Sequence, residues 1–438
     1  MSERRDFLKS AGAALTTQIF TGNVKGANDR VRVAFIGMGR MGNGNMNAAK
    51  QQPGVEVATV CDVYQPHLEK AVAASGRDPG GEADARPKAK GVADFREVLA
   101  DKSIDAVCIA TPDHWHAYMT VEACKSGKDV YVEKPVAVAV EEGRKMVQAA
   151  RKYNRVVQAG TMQRSGIHFQ KACEIVRGGK LGKVTFVRTW NYGNMAEEGL
   201  GNPSDAAPPS DLDWEMWLGP APKREFNKNR FGVDPKAFSH FRWFWDYAGG
   251  MMTDWGIHLL DIVQMAFDEA APTAVTALGG KYFLKDNRDT PDTLQVTYEY
   301  PGFIATYENR VCNSNSMFNQ GYGITFHGTK GTMFVDRSRY QIFPEKGFEA
   351  DLQPMEEKSS NNTNSAHWAN FLECIKTRQK PICDIEIGHR STTTALLGNV
   401  ALRSKLRIDW DSKLETTAQA EARQYLKREY RAPWKLEV

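Results

Sequence analysis

Through the first third of the chain, short apolar runs rich in β-branched residues alternate with stretches whose apolar positions recur at helical spacing. Arg32–Ile36, Glu56–Cys61, Ile104–Ala110, Val130–Val132 and Arg155–Ala159 read as buried strands. Helices are expected after Gly42, over Phe95–Ala100, over Ala117–Ser126 with Gly127 closing it, and over Val140–Tyr153. Ser75–Gly91, rich in Gly, Asp and Pro, reads as a loop. This alternation predicts an α/β unit built on a doubly wound parallel sheet over roughly residues 31–160. From Gly160 the pattern changes. Val184–Trp190, Thr273–Phe283, Thr293–Tyr300, Phe303–Arg310 and Tyr322–His327 are strand-like, joined by hairpin signals such as Pro301-Gly302 and Gly328–Gly331. They predict a second, α+β domain (161–438) with a large, open, mostly antiparallel sheet. Its free face could pack on another subunit. Asp205–Lys236 reads as an ordered excursion carrying Trp214 and Trp217, and His367–Thr377 and Ser391–Lys405 as helices, the second returning toward the first domain.

Length and composition narrow the class. At 438 residues the chain is too long for one ordinary core, so two domains are expected. No apolar run is long enough to span a bilayer. The net charge of +4 comes from scattered basic residues, which does not indicate nucleic-acid binding. The seven cysteines are odd in number and widely spaced, and they read as buried thiols. Residues 1–30 read as a leader and linker. Arg4-Arg5-Asp6-Phe7-Leu8-Lys9 before the apolar Ala11–Phe20 is a twin-arginine export pattern, although Glu3 stands where Ser or Thr is usual and no clean cleavage site precedes Asp29. The other reading is a tail with a chance Arg-Arg. Export of an already folded protein would suit an enzyme loaded with its cofactor before crossing.

The chemistry begins at the first strand. It runs straight into Gly37-Met38-Gly39-Arg40-Met41-Gly42, a G-x-G-x-x-G opening a helix, as in Rossmann dinucleotide sites. Gly37 permits the tight turn, Gly39 lets backbone approach a pyrophosphate, and Gly42 lets helix and strand pack closely; the free amides of the helix start hold the phosphates. Twenty residues after Gly42, the second strand ends in Asp62. A carboxylate there accepts from both adenosine ribose hydroxyls and repels a 2′-phosphate, which favours NAD over NADP, with Arg40 or His67 able to soften the preference. The strand Ile104–Ala110 ends in Thr111-Pro112-Asp113-His114-Trp115-His116. The His114-x-His116 spacing lacks the further ligands a metal needs, so a place beside the nicotinamide ribose is the better reading and no metal is expected. Val130–Val132 ends in Glu133-Lys134-Pro135. Packing gives a central strand no reason to end in two charges. Beyond its carboxyl end Lys134 would face the cofactor crevice, unless it is a solvated loop lysine.

In the second half, His240–Asp261 is the informative stretch. A helix is expected after Gly249-Gly250, placing Asp254 and His258 at i and i+4 on one face. A carboxylate one turn from an imidazole can fix its tautomer and raise its basicity for general-base work, although a satisfied structural pair would look the same. Trp243, Trp245, Tyr247 and Trp255 crowd this stretch; they either line a pocket for a sugar ring or are core.

Taken in order, Gly37–Gly42, Asp62, Thr111-Pro112 with His116, Glu133-Lys134-Pro135, Gly160-Thr161-Met162-Gln163-Arg164 and Asp254-x-x-x-His258 resemble the glucose–fructose oxidoreductase / inositol dehydrogenase (Gfo/Idh/MocA) family over nearly all of residues 31–405. The resemblance implies a nucleotide domain plus an α+β domain whose open sheet supports dimers or tetramers. Among its members are exported ones that carry their nucleotide. It implies that Lys134 lies near nicotinamide and substrate, that the Lys134–Pro135 bond can be cis, that Glu133 and Gln163 sit at the cofactor, and that Asp254 and His258 reach the reacting hydroxyl, with Arg164 among the substrate contacts; Trp243 joins those contacts on the reading of the aromatics as a lined pocket. The expected reaction is oxidation of a sugar or glycoside alcohol to a ketone. His258 would act as base, oriented by Asp254, and Lys134 as hydrogen-bond donor, or the two would exchange roles. Two other readings stand beside it: a redox-assisted glycosidase with no net NADH, and a non-catalytic sensor of sugar or nucleotide.

Overall fold

The computed structural model describes residues 30–78, 86–197, 199–232 and 240–438. The twin-arginine stretch lies outside them. The first sheet contains β1 (Val31–Ile36), β2 (Val55–Cys61), β3 (Lys90–Val92), β4 (Ala106–Ile109), β5 (Asp129–Val132) and β6 (Val157–Ala159), in the order β3-β2-β1-β4-β5-β6. Every pairing in it is parallel. The order reverses between β1 and β4, so a crevice opens beyond their carboxyl ends, where ligands of such sheets bind. Helix α1 (Arg40–Lys50) leaves that crevice directly. β3 falls in the stretch read as a loop; it is three residues at a sheet edge, too short to show a period.

The second sheet has ten strands. They are β7 (Val184–Tyr192), β8 (Ala274–Gly280), β9 (Thr293–Tyr300), β10 (Phe303–Arg310), β11 (Tyr322–Gly328), β12 (Gly331–Val335), β13 (Arg339–Pro344), β14 (Met355–Lys358), β15 (Ile408–Asp411) and β16 (Thr416–Thr417), in the order β14-β13-β12-β11-β7-β10-β9-β8-β15-β16. Only β7–β10 is parallel. Strict alternation makes it one-sided: Leu294, Val296, Tyr298 and Tyr300 are buried, while Gln295 and Glu299 are exposed. Against the buried face lie α3 (Ile257–Ala266) and α5 (Ile385–Ser404). The other face carries Phe186, Ile304 and Leu278, the last 80% exposed.

Three elements tie the halves together. α4 (Thr363–Thr377) inserts Trp368, which stacks on Tyr131 of β5 at 4.7 Å and donates to Asn45 of α1 at 3.0 Å. α5 packs along α2 (Val140–Lys152) and β6. The C-terminal segment crosses back: Arg428 and Tyr430 both reach Glu142 (2.7 and 2.6 Å), and Trp434 sets its ring edge-on to Trp115 and Tyr118. Among the described residues no helix is long and apolar enough to cross a membrane, and no three His, Cys, Asp or Glu side chains gather as a metal set.

Candidate active site

The nucleotide end is built by backbone geometry. Gly37 has φ +87°, and a Cβ there would lie 2.7 Å from the Ala110 carbonyl carbon; a Cβ on Gly42 would lie 1.9 Å from the Gly37 oxygen. Gly39 differs. A Cβ on it would meet nothing within 4 Å, and it caps α1 with no side-chain hydrogen bond and no acidic residue in the first turn. The amides that follow are thus left to an anion, and the space above them is open. Asp62 is held by the Met38 N–H (2.6 Å to Oδ2) and the Tyr64 N–H (2.9 Å to Oδ1), with His67 Nδ1 at 3.6 Å. Each oxygen keeps lone pairs for the ribose hydroxyls. Thr111 Oγ1, beyond β4, is buried without a hydrogen-bond partner among the described residues. These residues fit NAD. Asp62→Ala should weaken NAD at least tenfold and narrow its lead over NADP; titration of each nucleotide against protein fluorescence tests this, and equal affinities before and after would remove Asp62 from the site.

The catalytic end joins both domains. At the carboxyl end of β5, Glu133 turns back to the Asn45 amide (2.8 Å) while Lys134, next to a cis bond with Pro135, reaches across. Lys134 Nζ donates to Asp254 Oδ1 at 2.8 Å and to the Asp254 carbonyl at 3.1 Å, and both side chains are 12% exposed. The other carboxylate oxygen of Asp254 accepts from Arg242. Burial would raise the Asp254 pKa, but Arg242 and Lys134 outweigh it and hold the carboxylate below its usual range.

The expected Asp254–His258 hydrogen bond is not present. Met252–Gly256 forms a wide π turn before α3, so the i,i+4 geometry of a regular helix does not hold there. Asp254 is claimed by two cations, and His258 Nδ1 is buried with no hydrogen-bond partner among the described residues. Nε2 of His258 makes no hydrogen bond to the described residues and is not sealed from the cleft. Burial, then the charges of Lys134 and Arg337, hold the imidazole well below its usual pKa, so it stays neutral and less basic than a solvated imidazole. Gln163 positions it: Nε2 donates to the His258 carbonyl at 3.0 Å, and Oε1 accepts from Arg337 Nε at 3.0 Å.

Three other expectations are corrected. Arg164 is buried away from the cleft, its guanidinium bound to both Asp261 oxygens (2.8 and 2.9 Å) and to Glu269, so it is a structural clamp and not a substrate contact. Trp243 is core, 3% exposed beneath the Arg288 guanidinium at 4.4 Å. His114 faces the aromatic cluster of the excursion, 5.1 Å from Tyr247 and bonded to the Trp217 carbonyl at 3.0 Å; burial pushes it down to about 3. Both of these positions sit among large apolar neighbours that reach them only through tertiary contacts. His116 stays near the site as a clamp: its ring nitrogens lie 2.7 Å from the Pro135 carbonyl and 2.8 Å from that of Thr111, and burial pushes it down to about 4.

The fold also brings in residues to which the sequence reading assigned no role. Arg242 comes from the same stretch as Asp254. Arg337 arrives from the β12–β13 turn, its guanidinium 4.7 Å over Trp255, whose ring leans on Tyr322 at 4.8 Å. Of the aromatics crowding His240–Asp261, Trp255 is the one beside His258. Asp113 is pushed up to about 8 by burial and Asp254, against Lys134 and Arg242. An acid in the TPDHWH loop was the one available signal.

Two family models cover the chain: an oxidoreductase family NAD-binding Rossmann fold over residues 31–161, and the same family's C-terminal α/β domain over residues 173–436. The chain belongs to the Gfo/Idh/MocA oxidoreductase family. Its cofactor is NAD. Its relatives carry names of differing chemistry. One is the scyllo-inositol 2-dehydrogenase (NAD(+)) of Bacillus subtilis (strain 168), 24% identical over 379 residues, 83% of this chain and 94% of the relative. Another is a glycosyl hydrolase family 109 protein of Shewanella sp. (strain W3-18-1), 30% identical over 240 residues, 49% of this chain and 47% of the relative. Among solved structures, levoglucosan dehydrogenase in complex with NADH and levoglucosan shares the fold (TM-score 0.65, 16% identity, 87% of this chain and 99% of that one).

Proposed function

We propose that this oxidoreductase oxidises a hydroxyl of a sugar or glycoside to a ketone, with NAD tightly bound. The observation that carries the reading is the 2.8 Å contact of Lys134 with Asp254, which brings an ammonium from the first domain beside a neutral imidazole of the second. NAD supplies the hydride acceptor. In the proposed step the hydroxyl proton passes to His258 Nε2 as the carbinol carbon loses its hydride. Lys134, oriented by Asp254, donates to the oxygen as negative charge develops on it. The inositol dehydrogenase relative and the levoglucosan-bound neighbour support a polyol or sugar substrate.

The family 109 relative supports a second reading, in which oxidation is transient. The ketone acidifies the adjacent C–H, the aglycone is eliminated, water adds, and the stored hydride returns. Incubating the NAD-loaded protein with sugars and with aryl glycosides separates the two. Stoichiometric NADH from either substrate supports the dehydrogenase; phenol released without net NADH supports the glycosidase; neither product with any of them would sink both. The same proposal takes the outer face of the large sheet, with its exposed Phe186, Ile304 and Leu278, as covered in a homodimer or homotetramer, and the Arg4-Arg5 leader as an export signal to the periplasm.

A further inference from the structure

Arg337 sits on a preorganised turn. Asp336 Oδ1 accepts from the Ser338 and Arg339 amides (2.7 and 2.9 Å) and from the Ser338 hydroxyl (2.6 Å), and the Asp336 carbonyl lies 3.0 Å from His168 Nε2. That turn lays the guanidinium over Trp255 and spends only Nε, on Gln163. Neither terminal nitrogen has a hydrogen-bond or carboxylate partner among the described residues, and neither is sealed from solvent. The nearby carboxylate of Asp254 makes its side-chain hydrogen bonds to Lys134 and Arg242 and acts on Arg337 through charge alone. A half-buried guanidinium that has lost solvation, whose terminal nitrogens are unpaired among the described residues and whose charge is felt by Asp254 and His258, is matched by a planar oxyanion accepting two parallel hydrogen bonds. Desolvation without such a partner is costly.

Resting on the oxidoreductase reading above, we propose that Arg337 receives a carboxylate carried by the substrate, so that the preferred substrate is a sugar acid or its glycoside rather than a neutral sugar. A single fork with no amide cradle around it suits a carboxylate better than a phosphate dianion.

The test uses NAD-loaded protein and matched pairs: methyl glucoside against methyl glucuronide, methyl galactoside against methyl galacturonide, with glucose 6-phosphate as a third arm. Binding is followed by tryptophan fluorescence and turnover by nicotinamide absorbance. In at least one pair the acid should bind on the order of 10- to 100-fold tighter than its neutral parent, and Arg337→Met should erase that margin while leaving NAD affinity within a few-fold; the quantity read is the ratio of acid to neutral parent within each protein, since the loss of the Gln163 contact and of the charge near His258 acts on both substrates alike. Equal or weaker binding of the acid in every pair overturns the inference, as does a preference for the phosphate or one that survives in the variant. If Arg337→Met does not fold, the wild-type ranking of acid against neutral parent decides alone. NADH from neutral sugars with no acid preference removes this inference and leaves the dehydrogenase standing. Arg337-dependent binding of an acid with no chemistry does the reverse.

Discussion

Replacing Lys134 by methionine is expected to lower turnover by about two to four powers of ten while leaving NAD bound. Among the described residues the ammonium donates to no side chain but Asp254, so in the proposed step the change removes the donor that the first domain supplies to the reacting oxygen. Methionine keeps the length and most of the stem packing, and Asp254 retains Arg242, so the carboxylate is not stranded. Thermal midpoints should therefore move by only a few degrees. Asp254→Asn should cost nearly as much, and the double variant little more than either single one, because the two side chains act as a unit. Single-turnover nicotinamide absorbance with saturating substrate measures this. A Lys134→Met protein with more than a tenth of wild-type activity would end the assigned role.

Arg164→Met is expected to do the opposite, costing about 3–5 kcal/mol of stability with little change in kcat per folded molecule. Arg164 and Asp261 are 3% and 0% exposed, and Ser391 adds a 2.6 Å hydrogen bond to the same carboxylate. Burial pushes the Asp261 pKa up, and Arg164 opposes it. Without the guanidinium the carboxyl must be buried as an unpaired charge or take up a proton. Replacing Asp261 by leucine in the same protein should recover much of the loss, since a packed apolar pair avoids the desolvation cost. Denaturant midpoints of the two variants read the effect. An unchanged midpoint with a raised KM would return Arg164 to the substrate site.

These two lysine and arginine residues show where reading residues in order succeeds. Five of the six strands of the first sheet and the G-x-G-x-x-G turn were legible because strand period, glycine spacing and the acid at Asp62 are local patterns imposed by backbone sterics. Lys134 was legible for a similar reason: a charge ending a buried strand has no packing explanation. Arg164 sits in an equally suggestive motif, yet its partners Asp261 and Glu269 are about a hundred residues away, and nothing local distinguishes a clamp from a binding residue. His114 and Trp243 mislead in the same way; an imidazole and an indole have the same local context whether they line a cleft or fill a core.

By itself, then, the order of residues determined most strands of the two sheets and the nucleotide turn, because these are written in short-range periodicity or in a motif of fixed spacing; that Lys134, Asp254 and His258 share a site came only as what the family resemblance implies. Only the tertiary structure decided how those three are wired. The π turn at Met252–Gly256 breaks the helical spacing that would have paired Asp254 with His258, and Lys134 and Arg242, arriving from other segments, take the carboxylate instead. Arg337 entered the site by the same route, through a hairpin turn seventy-nine residues after His258. Electrostatic partnership depends on distance in space, and a chain that folds through two domains sets that distance only once its cores have packed.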